Sequence, residues 1–131
     1  DALAQALSSL AKHCHGRLIC LFGCGGNRDR GKRAQMAKVA ENYADVIVLT
    51  DDNPRTESPE QIIQDILQGF ACPEKIHVEN NRELAIKFAV QQADVGDMIL
   101  LAGKGHECYQ DIQGVKHPFD ERAIVRGMLR C

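Results

Sequence analysis

Short, continuous apolar runs alternate with longer segments of helical periodicity through most of this chain. The continuous runs favour strands buried on both faces, because a strand with one solvated face alternates apolar and polar residues instead. Strands are predicted at 18–23, 46–50, 75–79 and 97–103. Helices are predicted at 2–13, at 31–44, from Pro59 to about Phe70, from Asn80 through Ala89, and at 119–129.

The helical segments carry start signals and apolar faces. Ser58, Pro59 and Gln61 read as an N-cap, a first-turn proline and a capping-box partner, and Asn80 with Glu83 predicts a second start. The apolar faces are spaced three or four residues apart, as burial of one helix face requires. They comprise Leu3, Leu7 and Leu10; Ala34, Ala37, Ala40 and Ala44; Ile62, Ile63, Ile66, Leu67 and Phe70; and Leu84, Ala85, Phe88 and Ala89.

This order of elements predicts an α/β fold. Strands that alternate with helices form a mostly parallel, Rossmann-like sheet with helices on both faces. The segment YQDIQGVKHPF turns at Gly114 and predicts a β-hairpin at one edge of that sheet. At 131 residues the chain is long enough for one domain.

Composition and charge exclude several classes of function. The chain is 44% hydrophobic and 26% charged, which is ordinary for a globular protein. Its net charge of −2 gives no general attraction to nucleic acid or to an anionic membrane, although 28–33 is locally basic. No apolar run reaches the roughly 20 residues that cross a bilayer, and no signal peptide is evident. We expect a soluble, cytoplasmic protein without nucleic-acid or membrane partners.

Six cysteines raise the question of a metal or disulfide framework. They contain no C-x-x-C pair, so reduced thiols are the better interpretation, and no metal site is predicted. His106 stands beside glycines without a metal-ligating cluster and is given no catalytic role. Cys24 and Cys108 lack a positioned base that would make either one a nucleophile.

The stretch 21–33, LFGCGGNRDRGKR, nearly spells a phosphate-binding P-loop. A P-loop requires a Ser or Thr directly after its lysine to hold magnesium, and here Arg33 follows Lys32. An arginine has no acceptor and cannot ligate a metal. The dinucleotide pattern fails as well, because Arg28 occupies the place of its third glycine. A loop able to hold one small anion is what the pattern still predicts.

Three chemically unusual segments each follow a predicted strand. In an open parallel sheet the ligand lies beyond the carboxyl ends of the strands, so these segments are expected to meet. They contain Arg28 with Gly23, Gly25 and Gly26; Asp52, Asn53, Pro54 and Arg55; and Gly103, Lys104, Gly105, His106 and Glu107. Guanidinium groups for carboxylates and carboxylates for an ammonium suit a small zwitterion. Solvated turns without a ligand are the alternative.

The same segments carry a family resemblance. FGCGGNRDRGKR, TDDNPRTESP with its following helix, and LAGKGHE resemble the C-terminal domain of the Mur ligases, and within them the branch that adds meso-diaminopimelate. The likeness runs from residue 1 to the last predicted helix. It implies an ATP-dependent amide ligase of peptidoglycan synthesis, in which the amine of diaminopimelate attacks an acyl phosphate of UDP-N-acetylmuramoyl-L-alanyl-D-glutamate.

Carried over position by position, the resemblance implies an amino-acid site without a catalytic residue. The implied substrate-binding residues are Arg28, Asp52, Asn53, Pro54, Arg55, Gly103 and Glu107. Arg55 would select diaminopimelate over lysine, because a buried arginine without its anion is costly. Glu107 would hold the ammonium end of the amino acid and so orient its other amine.

The resemblance also implies what a domain over 1–131 lacks. The family's ATP-binding P-loop, magnesium ligands and nucleotide-sugar domain belong to segments N-terminal of this one. We therefore expect no cofactor in this chain, ATP and Mg²⁺ in the complete enzyme, and no ligation by the domain alone. The alternatives are a free-standing α/β domain that binds a nucleotide or phosphate through 23–32, and an interaction domain without a ligand.

Overall fold

The described elements follow the predicted order of helix and strand. The computed structural model describes residues 2–24, 31–52, 56–94, 96–102, 109–112 and 115–118. The elements are α1 (Ala2–Ala11), β1 (Leu18–Phe22), α2 (Gly31–Tyr43), β2 (Val46–Leu49), α3 (Pro59–Leu67), a 3-10 turn (Pro73–Lys75), β3 (His77–Val78), α4 (Arg82–Gln92), β4 (Met98–Leu101), β5 (Tyr109–Ile112) and β6 (Val115–Pro118). The predicted helix at 119–129 lies outside the described residues.

Four strands form a parallel sheet in the order β3-β2-β1-β4, which confirms the predicted Rossmann-like α/β class. Ile19 lies beside Val46 of β2 on one side and beside Ile99 of β4 on the other. The chain therefore builds outward from β1 to β3 and then returns to add β4 on the opposite side of β1. Such a reversal of strand order opens a crevice at the carboxyl ends of the strands.

Helices cover both faces of this sheet, as predicted. One face packs against α1, α2 and α3, and the other packs against α4. The first core contains Leu3, Leu7, Leu18, Cys20, Phe22, Ala37, Ala40, Ile47, Leu49, Ile62, Ile63, Ile66 and Phe70. The second contains Ile19, Leu21, Val48, Ala85, Ile86 and Ala89. Alternate residues of β1 enter opposite cores, so this strand is buried on both faces.

The predicted hairpin is also present. β5 and β6 pair antiparallel, with Tyr109 opposite Pro118 and Ile112 opposite Val115. Its two strands form a two-stranded sheet of their own, and in the described ranges neither strand is bonded to the parallel sheet. No helix within those ranges has the length and apolarity needed to cross a bilayer.

The predicted cap and first residue of α3 are confirmed, whereas the cap of α4 lies one residue later than expected. Ser58 accepts a hydrogen bond from the backbone N–H of Gln61 at 3.4 Å, and Pro59 opens the helix. The cap of α4 is Asn81, whose side chain accepts from the N–H of Leu84 at 3.1 Å. Asn80 does not cap the helix because its side-chain amide donates to Asp51 instead.

The buried face of α4 also differs from the predicted one. Leu84 was expected to be buried but is 50% exposed, whereas Ile86 is fully buried. The buried positions 82, 85, 86 and 89 follow a helical spacing that begins with an arginine. A search for apolar residues alone therefore placed the stripe incorrectly.

Candidate functional site

The carboxyl ends of β1, β2 and β4 lie side by side, and we call this region the carboxyl end of the sheet. The N–H of Thr50, just after β2, donates to the carbonyl of Phe22 at 3.1 Å, and the N–H of Ala102, just after β4, donates to the carbonyl of Leu21 at 2.9 Å. The three segments singled out in the sequence therefore leave the sheet at adjacent positions. The expectation that they start together is confirmed.

Of the seven predicted substrate-binding residues, one lies among the described residues. Asp52 is half-buried and follows β2 by three residues. The other six, Arg28, Asn53, Pro54, Arg55, Gly103 and Glu107, lie outside the described ranges. The roles of all seven, Asp52 included, stay predictions. Each is in a segment whose starting point at the carboxyl end is described.

Gly23 brings the segment after β1 into close contact with the segment after β2. A Cβ atom at this position would overlap the carbonyl oxygen of Thr50 and would lie 3.1 Å from the backbone nitrogen of Asp52. Only glycine permits this approach of two backbones. The contact fixes the origin of the glycine-rich segment relative to the segment that begins with Asp52.

The thiol of Cys24 lies next to the contact between Gly23 and the segment after β2, and its pKa depends on the charges there. Burial raises the pKa of its thiol to about 11, the positive charge of Arg33 acts to lower it, and the negative charge of Asp52 raises it further. The thiol donates to the sulfur of Met36 at 3.5 Å. Such a thiol is almost entirely protonated at neutral pH, so it is unsuited to nucleophilic chemistry.

Asp51, the neighbour of Asp52, is hydrogen-bonded within the fold. Its carboxylate accepts from the side-chain amide of Asn80 at 2.9 Å, and Thr50 donates its hydroxyl to the carbonyl of Asn80 at 3.3 Å. Burial raises the pKa of Asp51, while the hydrogen bond from Asn80 acts to lower it. These bonds tie the segment after β2 to the start of α4.

Arg82 was missed by sequence reasoning. Its side chain is 1% exposed, one terminal nitrogen lies 3.2 Å from the carbonyl oxygen of Asp51, and the other lies 3.0 Å from that of Ala102. These two carbonyls immediately precede Asp52 and Gly103. The available signal was its place three residues before Ala85, which extends the buried stripe of α4 by one position.

Arg33 is the second buried arginine that was missed as a structural residue. Its guanidinium is 2.7 Å from a carboxylate oxygen of Glu57 and 2.9 Å from one of Asp65. The two carboxylates raise the pKa of Arg33, with the hydrogen bond to Glu57 contributing most. This ion-paired group occupies the position at which a P-loop has its magnesium-binding hydroxyl, and the pairing connects α2 to the segment that precedes α3.

Other features of the described residues show no second site. No group of three or more metal-ligating side chains is found in those ranges, where Cys14, Cys20, Cys24 and Cys72 are free thiols. A cavity of about 360 Å³ lies at the opposite end of the sheet, next to Glu41 and Asp45. Its Glu41 carboxylate already accepts from the N–H groups of Ala71 and Cys72.

Comparisons with known proteins found a matching family, similar sequences and a similar structure. A family model described as "Mur ligase, glutamate ligase domain" matches residues 1–105. A UDP-N-acetylmuramoyl-L-alanyl-D-glutamate--2,6-diaminopimelate ligase of Xylella fastidiosa (strain Temecula1) is 55% identical over 129 residues, which are 98% of this chain and 26% of that protein. The enzyme of that name from Coxiella burnetii is 59% identical over 121 residues, which are 92% of this chain and 25% of that protein.

A solved structure of a ligase with the same name superposes with a TM-score of 0.94. Its sequence identity is 48%, and the match covers 99% of this chain but 27% of the other. The chain thus spans about a quarter of the length of the relatives it matches.

Proposed function

Since the chain belongs to the Mur ligase family, as its glutamate ligase domain, we propose that it binds the incoming amino acid of a ligase. The enzyme is ATP-dependent and adds meso-diaminopimelate to UDP-N-acetylmuramoyl-L-alanyl-D-glutamate in peptidoglycan synthesis. The observation that carries this proposal is that the segments after β1, β2 and β4 start from adjacent positions at one end of the sheet. The 55% identity to a diaminopimelate ligase supports the choice of amino acid.

The proposed ligands of diaminopimelate come from these three segments. They are Arg28, Asp52, Asn53, Pro54, Arg55, Gly103 and Glu107. Diaminopimelate differs from lysine by a second carboxylate, which an arginine can bind through two parallel hydrogen bonds. With lysine bound, Arg55 would lack its anion, so the site selects by penalty as well as by attraction. Glu107 receives an ammonium group and thereby orients the attacking amine.

ATP and Mg²⁺ do not fit the residues that are described here. The side chain at the position of the magnesium-binding hydroxyl is Arg33, which is buried and paired with Glu57 and Asp65. A guanidinium cannot ligate a metal. We therefore propose that the ATP and Mg²⁺ of the complete enzyme, and its nucleotide-sugar substrate, are bound mainly by other parts of that enzyme.

As one domain over 1–131, the chain acts as a recognition module in a cytoplasmic ligase. Its role is to bind and orient an amine, while activation of the carboxylate takes place elsewhere in the enzyme. The isolated domain is inactive in ligation for this reason. Its binding of the amino acid can nevertheless be measured directly.

The test is a titration of the ¹⁵N-labelled chain with meso-diaminopimelate and, separately, with L-lysine, followed by amide chemical shifts that detect even millimolar affinities. We expect diaminopimelate to bind about tenfold or more tightly than lysine, because lysine has no second carboxylate to pair with the Arg55 guanidinium. The variant Arg55→Ala removes that charge and is expected to bind both amino acids equally weakly.

Arg17→Ala is the matched control, because Arg17 lies at the amino end of β1, away from the proposed site, and is ion-paired there with Asp97. It should retain the preference for diaminopimelate. Equal affinity of the parent chain for the two amino acids, or no binding of diaminopimelate, would contradict the proposed function.

A further inference from the structure

The guanidinium of Arg82 connects the residues that follow the two strands on either side of β1. β1 lies between β2 and β4. Arg82 donates to the carbonyl of Asp51, which follows β2, and to the carbonyl of Ala102, which follows β4. The parallel ladder does not supply this connection, because β2 and β4 are not adjacent. One side chain therefore joins the origins of two segments that the sheet itself leaves separate.

The location of Arg82 is unfavourable for an arginine without such a role. It is the first residue of α4, where the helix dipole disfavours a cation. It is also 1% exposed, and burial of a charge is costly unless the charge is hydrogen-bonded. Its planar fork meets two carbonyl oxygens at once, which the compact ammonium of lysine does not reproduce in the same geometry.

The segments that follow the two carbonyls differ in sequence and in proposed chemistry. Asp52 begins D-N-P-R, and Gly103 begins G-K-G-H-E, the segment that contains Glu107. A ligand held by both segments has its two charged ends recognised from two origins. The separation of those origins then determines which length of amino acid fits.

We propose that Arg82 is a positioning residue that fixes the spacing between Asp51 and Ala102, the starting points of the D-N-P-R and G-K-G-H-E segments, and so determines selectivity among amino acids with two charged ends. It touches no substrate and acts through the backbone carbonyls of Asp51 and Ala102. The inference rests on the proposed function, and it adds a residue of α4 to the determinants of specificity.

The test uses Arg82→Lys, which retains the charge but not the fork. In the ligand-free chain, the ¹³C resonances of the Asp51 and Ala102 carbonyls are expected to shift, since both lose a hydrogen bond from the guanidinium. On titration, the preference for meso-diaminopimelate over L-lysine is expected to fall about tenfold, a size typical of residues that act on a site indirectly. The fraction of chain that binds should stay at the parent value.

Two further variants separate positioning from stability. Arg82→Gln is neutral and less bulky, and it replaces Arg82→Lys if the latter does not fold. Arg17→Lys makes the same exchange at the amino end of β1, where Arg17 donates to the carbonyl of Gln92 at 2.6 Å. Arg17→Lys should retain both the carbonyl resonances of Asp51 and Ala102 and the preference.

The outcomes are distinct. If a folded Arg82 variant retains the parent preference, or if the two carbonyl resonances stay unchanged, the positioning role is wrong and the proposed function stands. A loss of binding capacity with an unchanged ratio of affinities would show that Arg82 is needed for stability alone, and would also overturn the inference. Absence of any preference in the parent chain would overturn the proposed function and this inference with it.

Discussion

Side chains of opposite charge pair with the free backbone groups at the two ends of the parallel sheet. At the amino end, free N–H groups are accepted by aspartates: Asp45 accepts from the N–H of Leu18 at 2.8 Å, and Asp97 accepts from that of Arg17 at 2.7 Å. At the carboxyl end, free carbonyls accept from an arginine, Arg82. The charges therefore follow the direction of the strands. Acidic side chains lie where backbone N–H donors remain, and a basic side chain lies where backbone carbonyl acceptors remain.

The two ends differ in whether charged groups beyond those paired within the fold lie nearby in the sequence. Asp97 accepts hydrogen bonds from two backbone N–H groups and from the side chain of Arg17, so its bonding capacity is used within the fold. At the carboxyl end, Arg82 is likewise engaged, but it holds the starting points of segments rich in further charged residues. The amino end therefore serves stability, whereas the carboxyl end combines stability with the ligand binding that we propose.

The largest expected effects come from substituting two glycines in crowded positions, one at each end of the sheet. Gly23→Ala would force a methyl group against the carbonyl of Thr50, and Gly16→Ala would force one against Asp97 and the backbone of Gly96. Each variant is expected to lose about 1–3 kcal/mol of unfolding free energy, as overpacking does. Urea unfolding measures this loss.

Binding then distinguishes the two glycine variants. Gly23→Ala should lose the preference for diaminopimelate, because it displaces the origins of two of the segments proposed to bind the ligand. Gly16→Ala, at the opposite end, should keep that preference in its folded fraction. Equal losses of preference in both variants would break the division of roles between the ends.

Acid should affect the amino end through Asp97. Hydrogen bonds from the N–H groups of Asp94 and Arg17 lower the pKa of this carboxyl below its ordinary value near 3.9. The unfolded chain therefore takes up the proton first as pH falls, and stability from Asp97 is present above about pH 4 and lost below it. Asp97→Asn should be less stable than the parent at pH 7, and the difference should shrink on acidification.

Urea unfolding at pH 7 and pH 3 measures this dependence on pH. Asp94→Asn is the control, since Asp94 belongs to the same turn but its side chain is 87% exposed. It should stay close to the parent at pH 7. If the difference between the parent and Asp97→Asn were the same at both pH values, the role given to the Asp97 charge would be wrong.

The sequence predicted the architecture well because apolar patterns record which faces are buried. The order of elements, the parallel sheet, the hairpin and the adjacent starting points of three segments all followed from periodicity and from the rules of α/β connection. The cap of α4 was misplaced by one residue, because Asn80 and Asn81 have equal capping propensity. A tertiary bond from Asn80 to Asp51 decides between them.

The two buried arginines could not be predicted from the same patterns. Arg33 and Arg82 each occupy the first position of a buried stripe, four residues before Ala37 and three before Ala85, where a pattern search expects apolar residues. Their burial depends on partners that are distant in sequence, at Glu57 and Asp65 and at Asp51 and Ala102. A charged residue in phase with an apolar stripe is the signal that was available.

The prediction that perturbs the molecule least needs no substitution and involves only the reactivity of Cys24, just past the carboxyl end of β1. Because burial raises the pKa of this thiol to about 11, its thiolate is scarce at pH 8. Alkylation by iodoacetamide should be slower by roughly two orders of magnitude than for the same cysteine in urea, where the thiol has an ordinary pKa. Peptide mapping by mass spectrometry resolves Cys24 from the other cysteines.

In the native chain the alkylation rate of Cys24 should still rise about tenfold per pH unit at pH 9, where the rate of an ordinary thiol is levelling off. A native rate that levels off near pH 9 would mean that the junction of Gly23 and Asp52 is open to water, and the close contact assigned to the carboxyl end would then be wrong.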